Sequence, residues 1–287
     1  MSFTPNHPFF VGVDSDGCVM DTMDLKQQEC FVPNIIKYFH LQAVSRYARE
    51  AVEFINLHSH WRGTNRFPAL ILMLDLLCER PEVKKRGVAI PRLESLRRWL
   101  KTEKRLGNPS LAEAVQTTGD AELQLVLDWS VAINKDIAEM ANGLEPFPGT
   151  KECVTSAAER ADVAVVSQTG LEALEREWDE HGMVHLVRAL YGQECGSKSE
   201  HLHMATHGKY EVGRVLMVGD ALGDRDAAQN NGALFFPILP AREEESWQQL
   251  REEGLERFFN GTFAGDYQAK LLQKFETMLP TVPPWNR

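Results

Sequence analysis

The sequence predicts an α/β fold: a parallel sheet with helices on both faces, interrupted by a large all-helical insertion. Three observations carry this expectation. Short, almost continuous apolar runs, as buried parallel strands show, recur at Phe9–Val13, Val163–Val166, Val187–Tyr191, Val215–Val218 and Ala233–Ile238. Helical segments separate the later runs, and strand–helix alternation implies a parallel sheet. Between about Leu25 and Glu145 the strand signal vanishes and helical spacing replaces it.

The elements follow in order. The first run ends in Asp14-Ser15-Asp16-Gly17. Within the insertion, Leu41–His58 is amphipathic with helical spacing. Phe67–Glu79 is a second helix with Asn65 as its N-cap, and Pro91–Arg105 is a third with proline in its first turn. Asp120–Met140 is a long amphipathic helix opened by a capping aspartate. The Gly/Pro-rich stretch ANGLEPFPGT is a linker. Beyond it, helices are expected at Thr150–Arg160, Gly170–Glu180, Ser199–His207 and Asp224–Asn230. From Pro240 the pattern gives one or two surface helices and a loose tail, TVPPWNR. The division predicted is a core of residues 1–22 and 146–287 and a helical cap domain of residues 23–145, large enough to be a domain of its own.

Composition narrows the function. With 43% apolar and 25% charged residues, the 287-residue chain is an ordinary globular protein. A net charge of −10 and a pI near 5.4 disfavour nucleic acid or an anionic membrane as the main partner, although a local basic pocket can still hold a small anion. The five cysteines are scattered and form no C-x-x-C pair, as expected of free thiols in a reducing compartment. The polar start and the lack of an apolar run near the roughly 20 residues of a membrane span point to a cytoplasmic protein. No heptad seam or swapped arm speaks for any oligomeric state.

Open parallel sheets bind ligands at the carboxyl ends of their strands. The polar residues gather at those ends here. The first strand ends in Asp14-Ser15-Asp16-Gly17, the second in Ser167-Gln168-Thr169-Gly170, and the fourth in Gly219-Asp220 with Asp224 and Asp226 just beyond. Lys198 lies in the loop after the third. Residues i and i+2 of an extended segment share a face, so Asp14 and Asp16 can point into one site. Neighbouring carboxylates repel when both are ionised and tend to separate in pKa.

In four motifs, DSDGCVMDT, VVSQT, the lysine of GSKSE and VGDALGD, the chain resembles the haloacid dehalogenase superfamily, mostly Mg²⁺-dependent phosphatases. The insertion between the first two motifs resembles the helical cap of the phosphoglycolate phosphatase and β-phosphoglucomutase branch. The resemblance spans Phe9 to Ile238 and implies a Rossmann-like core. It implies that Asp14 is the nucleophile that forms an aspartyl-phosphate, and that Asp16 protonates the leaving oxygen and then deprotonates water. It assigns Asp14, the main-chain carbonyl of Asp16, and Asp220 to a Mg²⁺ ion, with Asp224 orienting a bound water or Lys198. Lys198 and Ser167 would contact the phosphoryl oxygens, as would backbone N–H groups near Gly17 and Gln168. Ala221, Ser199, Ser15, Cys18 and Gln168 depart from the commonest residues at their positions, which leaves specificity more open than chemistry.

In the cap, Gly63-Thr64-Asn65-Arg66 resembles a G-x-x-R segment that reaches substrate in this branch, with Arg66 ahead of Arg62; a capped helix start with a solvated arginine is the alternative. His58 and His60 adjoin this loop, as surface residues or as part of the cap lining. His201, His203 and His207 are expected on a polar helix face rather than around a metal. Thr22 either caps the turn after the first motif or touches substrate. The expected activity is hydrolysis of a small phosphorylated metabolite. A phosphosugar mutase is the alternative enzyme. A catalytically idle binding protein would be expected to lack one of Asp14, Asp16, Lys198 or Asp220, and all are present. The substrate itself is not legible.

Overall fold

The computed structural model describes residues 3–286. The chain forms two compact units. One runs to Met23 and resumes from Gly143 to Pro280; the other comprises Asp24–Asn142 and the tail from Thr281.

The chain opens with strand β1 (Phe9–Val13) and then enters the helical unit. There follow α1 (Met23–Leu25), a π-helical stretch Lys26–Phe31, α2 (Val32–Tyr38), α3 (Ser45–Leu57), α4 (Arg66–Glu79), α5 (Pro81–Lys85), α6 (Glu94–Thr102), α7 (Asn108–Thr118) and α8 (Ala121–Met140). Their apolar faces meet around the fully buried Trp129, whose ring packs on Phe31, Phe39 and Phe67 at 5.9–6.4 Å. The expected caps form. Asn65 accepts from the N–H of Phe67, and Asp120 from those of Glu122 and Leu123. The helix expected from Pro91 instead starts at Glu94, because Leu93 is buried in a left-handed conformation with φ 49°. Its first free N–H groups, of Ser95 and Leu96, are taken by the Glu122 carboxylate of α8. The tail is not loose over its described residues; Arg287 lies outside them. Trp285 packs edge-on to Phe54 at 5.6 Å and under the Arg80 guanidinium at 4.3 Å. These contacts place the tail in the helical unit, not in the core as the sequence suggested.

In the sheet unit the chain continues through α9 (Thr150–Ala158), β2 (Ala161–Val166), α10 (Leu171–Glu180), β3 (Ala189–Tyr191), α11 (Lys198–Thr206), β4 (Val215–Gly219), α12 (Leu222–Asn230) and β5 (Leu234–Pro237). It ends with α13 (Glu243–Gln249), a π-helical stretch Leu250–Gly254, α14 (Leu255–Phe259) and α15 (Asp266–Met278). All strands are parallel, in the order β3-β2-β1-β4-β5. Side chains alternate between two cores, as strand geometry requires. Val11, Val13, Val163, Val165 and Val218 pack against Val154, Leu174 and Trp178 on one face. Phe10, Ala164, Val166 and Met217 pack against Leu202, Ala205 and Ala228 on the other.

Two expectations fail here. The segment from Pro240 is not a set of surface helices, because Trp247, Leu250, Phe258 and Phe275 are buried in the two cores. His201 is not on a polar face. It lies on the side of α11 that packs on the sheet, fully buried and stacked on Tyr191 at 5.8 Å. His203 and His207 are exposed and stack on each other at 4.3 Å. All five cysteines are free. Among the described residues, no helix is long and apolar enough to cross a membrane.

Candidate active site

The strand order reverses beside β1. The chain steps outward through β2 and β3, then returns to place β4 on the other side of β1. A switch of this kind opens a crevice at the carboxyl ends of the two strands. Asp14 follows β1 and Asp220 follows β4, so the topology sets them at that crevice.

Asp14 continues the parity of Phe10, towards the face covered by α11. There Lys198, the first residue of α11, donates to Asp14 Oδ2 at 2.7 Å and to Asp224 Oδ1 at 2.7 Å. The helix starts at this lysine without a proline, because Ser197 and Glu200 form a capping box. Asp224 sits in the first turn of α12, and its Oδ2 accepts the N–H of Ala221 at 3.0 Å. Gly219 makes room for it: a Cβ there would run into the Asp224 carboxylate.

Carboxylate oxygens of Asp14, Asp220 and Asp224 all lie within 4.8 Å of one another. The three residues are 4%, 2% and 0% exposed, so like charges meet where water screens them little. Burial pushes the Asp14 carboxyl well above its usual range; Lys198 opposes this and the neighbouring aspartates reinforce it. Asp224 shifts the same way, also from burial first. Burial works to discharge Lys198, but the surrounding carboxylates outweigh it and hold the ammonium charged. With all three acids ionised, one ammonium leaves the cluster short of positive charge. Hard oxygen donors in this number suit a small divalent cation such as Mg²⁺.

Asp16 is not one of these three. It is half-buried, and its Oδ1 accepts from the hydroxyl of Thr22, itself 1% exposed. The chain turns here on Gly17, whose φ of 76° favours glycine, and the Gly17 N–H donates to the Met20 carbonyl at 3.0 Å. Asp14 thus bonds Lys198 while Asp16 bonds Thr22, and Thr22 acts within the first motif.

Ser167 follows β2, the neighbour of β1, and is buried; its hydroxyl accepts from the N–H of Thr169 at 3.2 Å. Gln168 reaches across to the lysine loop and donates to the Gly196 carbonyl at 2.9 Å. Arg66 and Gly63 belong to the helical unit. Gly63 occupies a turn with φ 77°. Arg66 opens α4, donates to Ser130 and to Asn134 Oδ1 at 2.7 Å, and covers the Phe31 ring. Burial pushes its guanidinium down to about 10. Arg62 is buried and donates to the Leu57 carbonyl at 3.1 Å. Sequence reasoning missed two buried tryptophans that bind the first motif, Trp178 to Ser15 and Trp247 to Cys18.

No family model and no curated protein matches this sequence. Similar solved structures include a haloacid dehalogenase-like family hydrolase from Streptococcus pneumoniae, 13% identical, with a TM-score of 0.42 over 84% of this chain and 90% of that one. A predicted phosphatase from Clostridium acetobutylicum is 11% identical, with a TM-score of 0.46 over 88% and 100% of the two chains. A protein provisionally named phosphoglycolate phosphatase, from Lactobacillus delbrueckii subsp. bulgaricus, is 16% identical, with a TM-score of 0.48 over 86% and 97%. Likenesses this distant leave the chemistry to be read from the chain's own residues.

Proposed function

We propose that this chain is a Mg²⁺-dependent phosphatase that hydrolyses a small phosphate monoester through an aspartyl-phosphate. One observation carries the reading: Lys198 bridges Asp14 and Asp224 inside a buried cluster of three carboxylates at the switch point of the sheet.

Asp14 is the nucleophile. A carboxylate oxygen forms a bond to phosphorus while the ester oxygen–phosphorus bond breaks. Asp16, steadied by Thr22, gives a proton to the departing oxygen. It then takes a proton from the water that attacks the aspartyl-phosphate, releasing inorganic phosphate and restoring Asp14. Lys198 neutralises charge on Asp14 and on the phosphoryl oxygens, and Ser167 with the backbone near Gly17 and Gln168 donates to those oxygens. Asp14, Asp220 and the Asp16 carbonyl would hold Mg²⁺, which when bound offsets the phosphoryl charge. Asp224 is engaged at both oxygens, by Lys198 and by the Ala221 N–H, so its part is to fix the lysine. Arg66 and Gly63, in the helical unit, are assigned to substrate selection.

The test is phosphate release. Purified protein with Mg²⁺ should hydrolyse an aryl phosphate, and Asp14→Asn should abolish this with the fold intact. Equal rates for the two proteins, or no activity across a broad monoester panel, would overturn the proposal. Phosphate-neutral isomerisation of a sugar phosphate would convert it to a mutase.

A further inference from the structure

The first motif contains a polar residue that the reaction does not use. Ser15 lies between the two aspartates and is completely buried. It has the parity of Val11 and Val13, opposite to that of Asp14, and so faces the core built by α10. There the indole N–H of Trp178, also 0% exposed, donates to Ser15 Oγ at 3.0 Å. The Ser15 carbonyl accepts the N–H groups of Cys18, Val19 and Met20 at 3.3, 2.9 and 2.9 Å. A second buried indole, Trp247 of α13, donates to the Cys18 carbonyl at 2.9 Å.

An indole N–H is only a donor, and a buried one left unpaired is costly. Each ring therefore fixes the loop at one point. The Asp14–Lys198 and Ser15–Trp178 bonds leave adjacent residues towards opposite faces of the sheet. The backbone here cannot rotate about the strand axis without breaking one of them. We propose that Trp178 and Trp247 are positioning residues: through Ser15 and the Cys18 carbonyl they hold the loop so that Asp14 meets Lys198 while Asp16 meets Thr22. This gives a role to the segment from Glu243, which lies beyond the last motif. The kinetic consequence rests on the phosphatase reading; the clamp itself does not. A nucleophile displaced by about 1 Å can lose on the order of a hundredfold in rate, so even a partial loosening is measurable.

The experiment compares Trp178→Phe, Ser15→Ala, their double variant and Trp247→Phe. Each single change at the Trp178–Ser15 pair should lower kcat roughly tenfold with KM held within about twofold, since the loop is misaligned but the substrate contacts remain. The double variant should be no worse than the worse single one, because both changes remove the same bond. Trp247→Phe should lower kcat by itself and, when combined with Trp178→Phe in a further double variant, should deepen its loss. Amide exchange at Val19 and Met20 should speed up roughly tenfold in each Trp178–Ser15 variant while exchange in β4 stays unchanged. Wild-type kcat and loop protection in both Trp178→Phe and Ser15→Ala, or multiplicative losses in their double variant, would overturn the clamp. If Trp178→Phe does not fold, Ser15→Ala alone decides. If the wild type turns over no monoester, the phosphatase reading fails and amide exchange still decides the clamp.

Discussion

Two aspartates at opposite ends of the sheet are both buried and live in opposite surroundings. Asp162, near the start of β2, is 1% exposed and is surrounded by donors. Its Oδ2 accepts the backbone N–H groups of Asn6 and His7 and the hydroxyl of Tyr210, and Arg188 lies 3.5 Å from its Oδ1. Asp14, just past β1, shares one lysine with Asp224 and crowds against Asp220. Burial of a charge is thus no sign of function by itself. Asp162 ties the N-terminal arm to the sheet through three bonds to one of its oxygens, with an arginine beside the other. Asp14 is held among like charges, an arrangement that costs stability unless a cation or an anionic substrate with its metal completes it.

Substitution should separate the two in both directions. Asp14→Asn should remove at least about 10⁴-fold of kcat/KM, equivalent to about 5.5 kcal/mol, while stability without divalent cation stays level or rises because one of three crowded carboxylates is gone. Asp162→Ala should do the reverse. It leaves two N–H groups, a tyrosine hydroxyl and an arginine short of their acceptor and should cost about 3 kcal/mol in denaturant unfolding, with kcat/KM unchanged. A loss of stability in Asp14→Asn equal to that in Asp162→Ala would break the comparison.

The metal supplies the next contrast. A cation that binds only the folded site at one hundred times its Kd should raise stability by about 2.7 kcal/mol. Melting of the metal-free protein with added Mg²⁺ should show this shift in the wild type and in Asp162→Ala. It should vanish in Asp220→Asn. A shift of equal size in Asp220→Asn would place the cation elsewhere.

The sequence made the crowded end legible and left the donor-rich end dark. Asp14, Lys198, Asp220 and Asp224 each follow a strand or open the next helix, so apolar runs alone locate them on one edge of a parallel sheet. Asp162 comes just before such a run and carries no local signal, since its partners are the N-terminal arm, Arg188 and Tyr210, far apart in the chain. The same limit hid Trp178 and Trp247, whose partners lie 163 and 229 residues away. It misplaced the start of α6, which Glu122 caps from another helix. Local caps such as Asn65 and Asp120 were legible because donor and acceptor are two or three residues apart. Arg66 was legible as a residue of interest, but its bonds to Ser130 and Asn134 depend on α8 and could not be read.

His201 offers a third way to bury a titratable group, by discharging it. Burial, helped by the nearby Lys198 ammonium, pushes its imidazole down from the usual 6.5 to about 4. Above pH 6.5 both folded and unfolded states hold it neutral, and its contribution is fully present. Between 6.5 and 4 the unfolded chain binds a proton that the folded one refuses, so stability falls as pH falls. The loss reached by pH 4 is about 2–3 kcal/mol. Asp14 and Asp224 act in the opposite sense, because their raised pKa values let the folded state take protons first as pH drops. The wild-type curve is therefore a composite, and a difference isolates the histidine. Stability measured for His201→Gln against wild type should shift in favour of the variant by about 2–3 kcal/mol between pH 7 and pH 4. Parallel curves would mean that the imidazole finds a proton's compensation inside the fold and that burial does not discharge it.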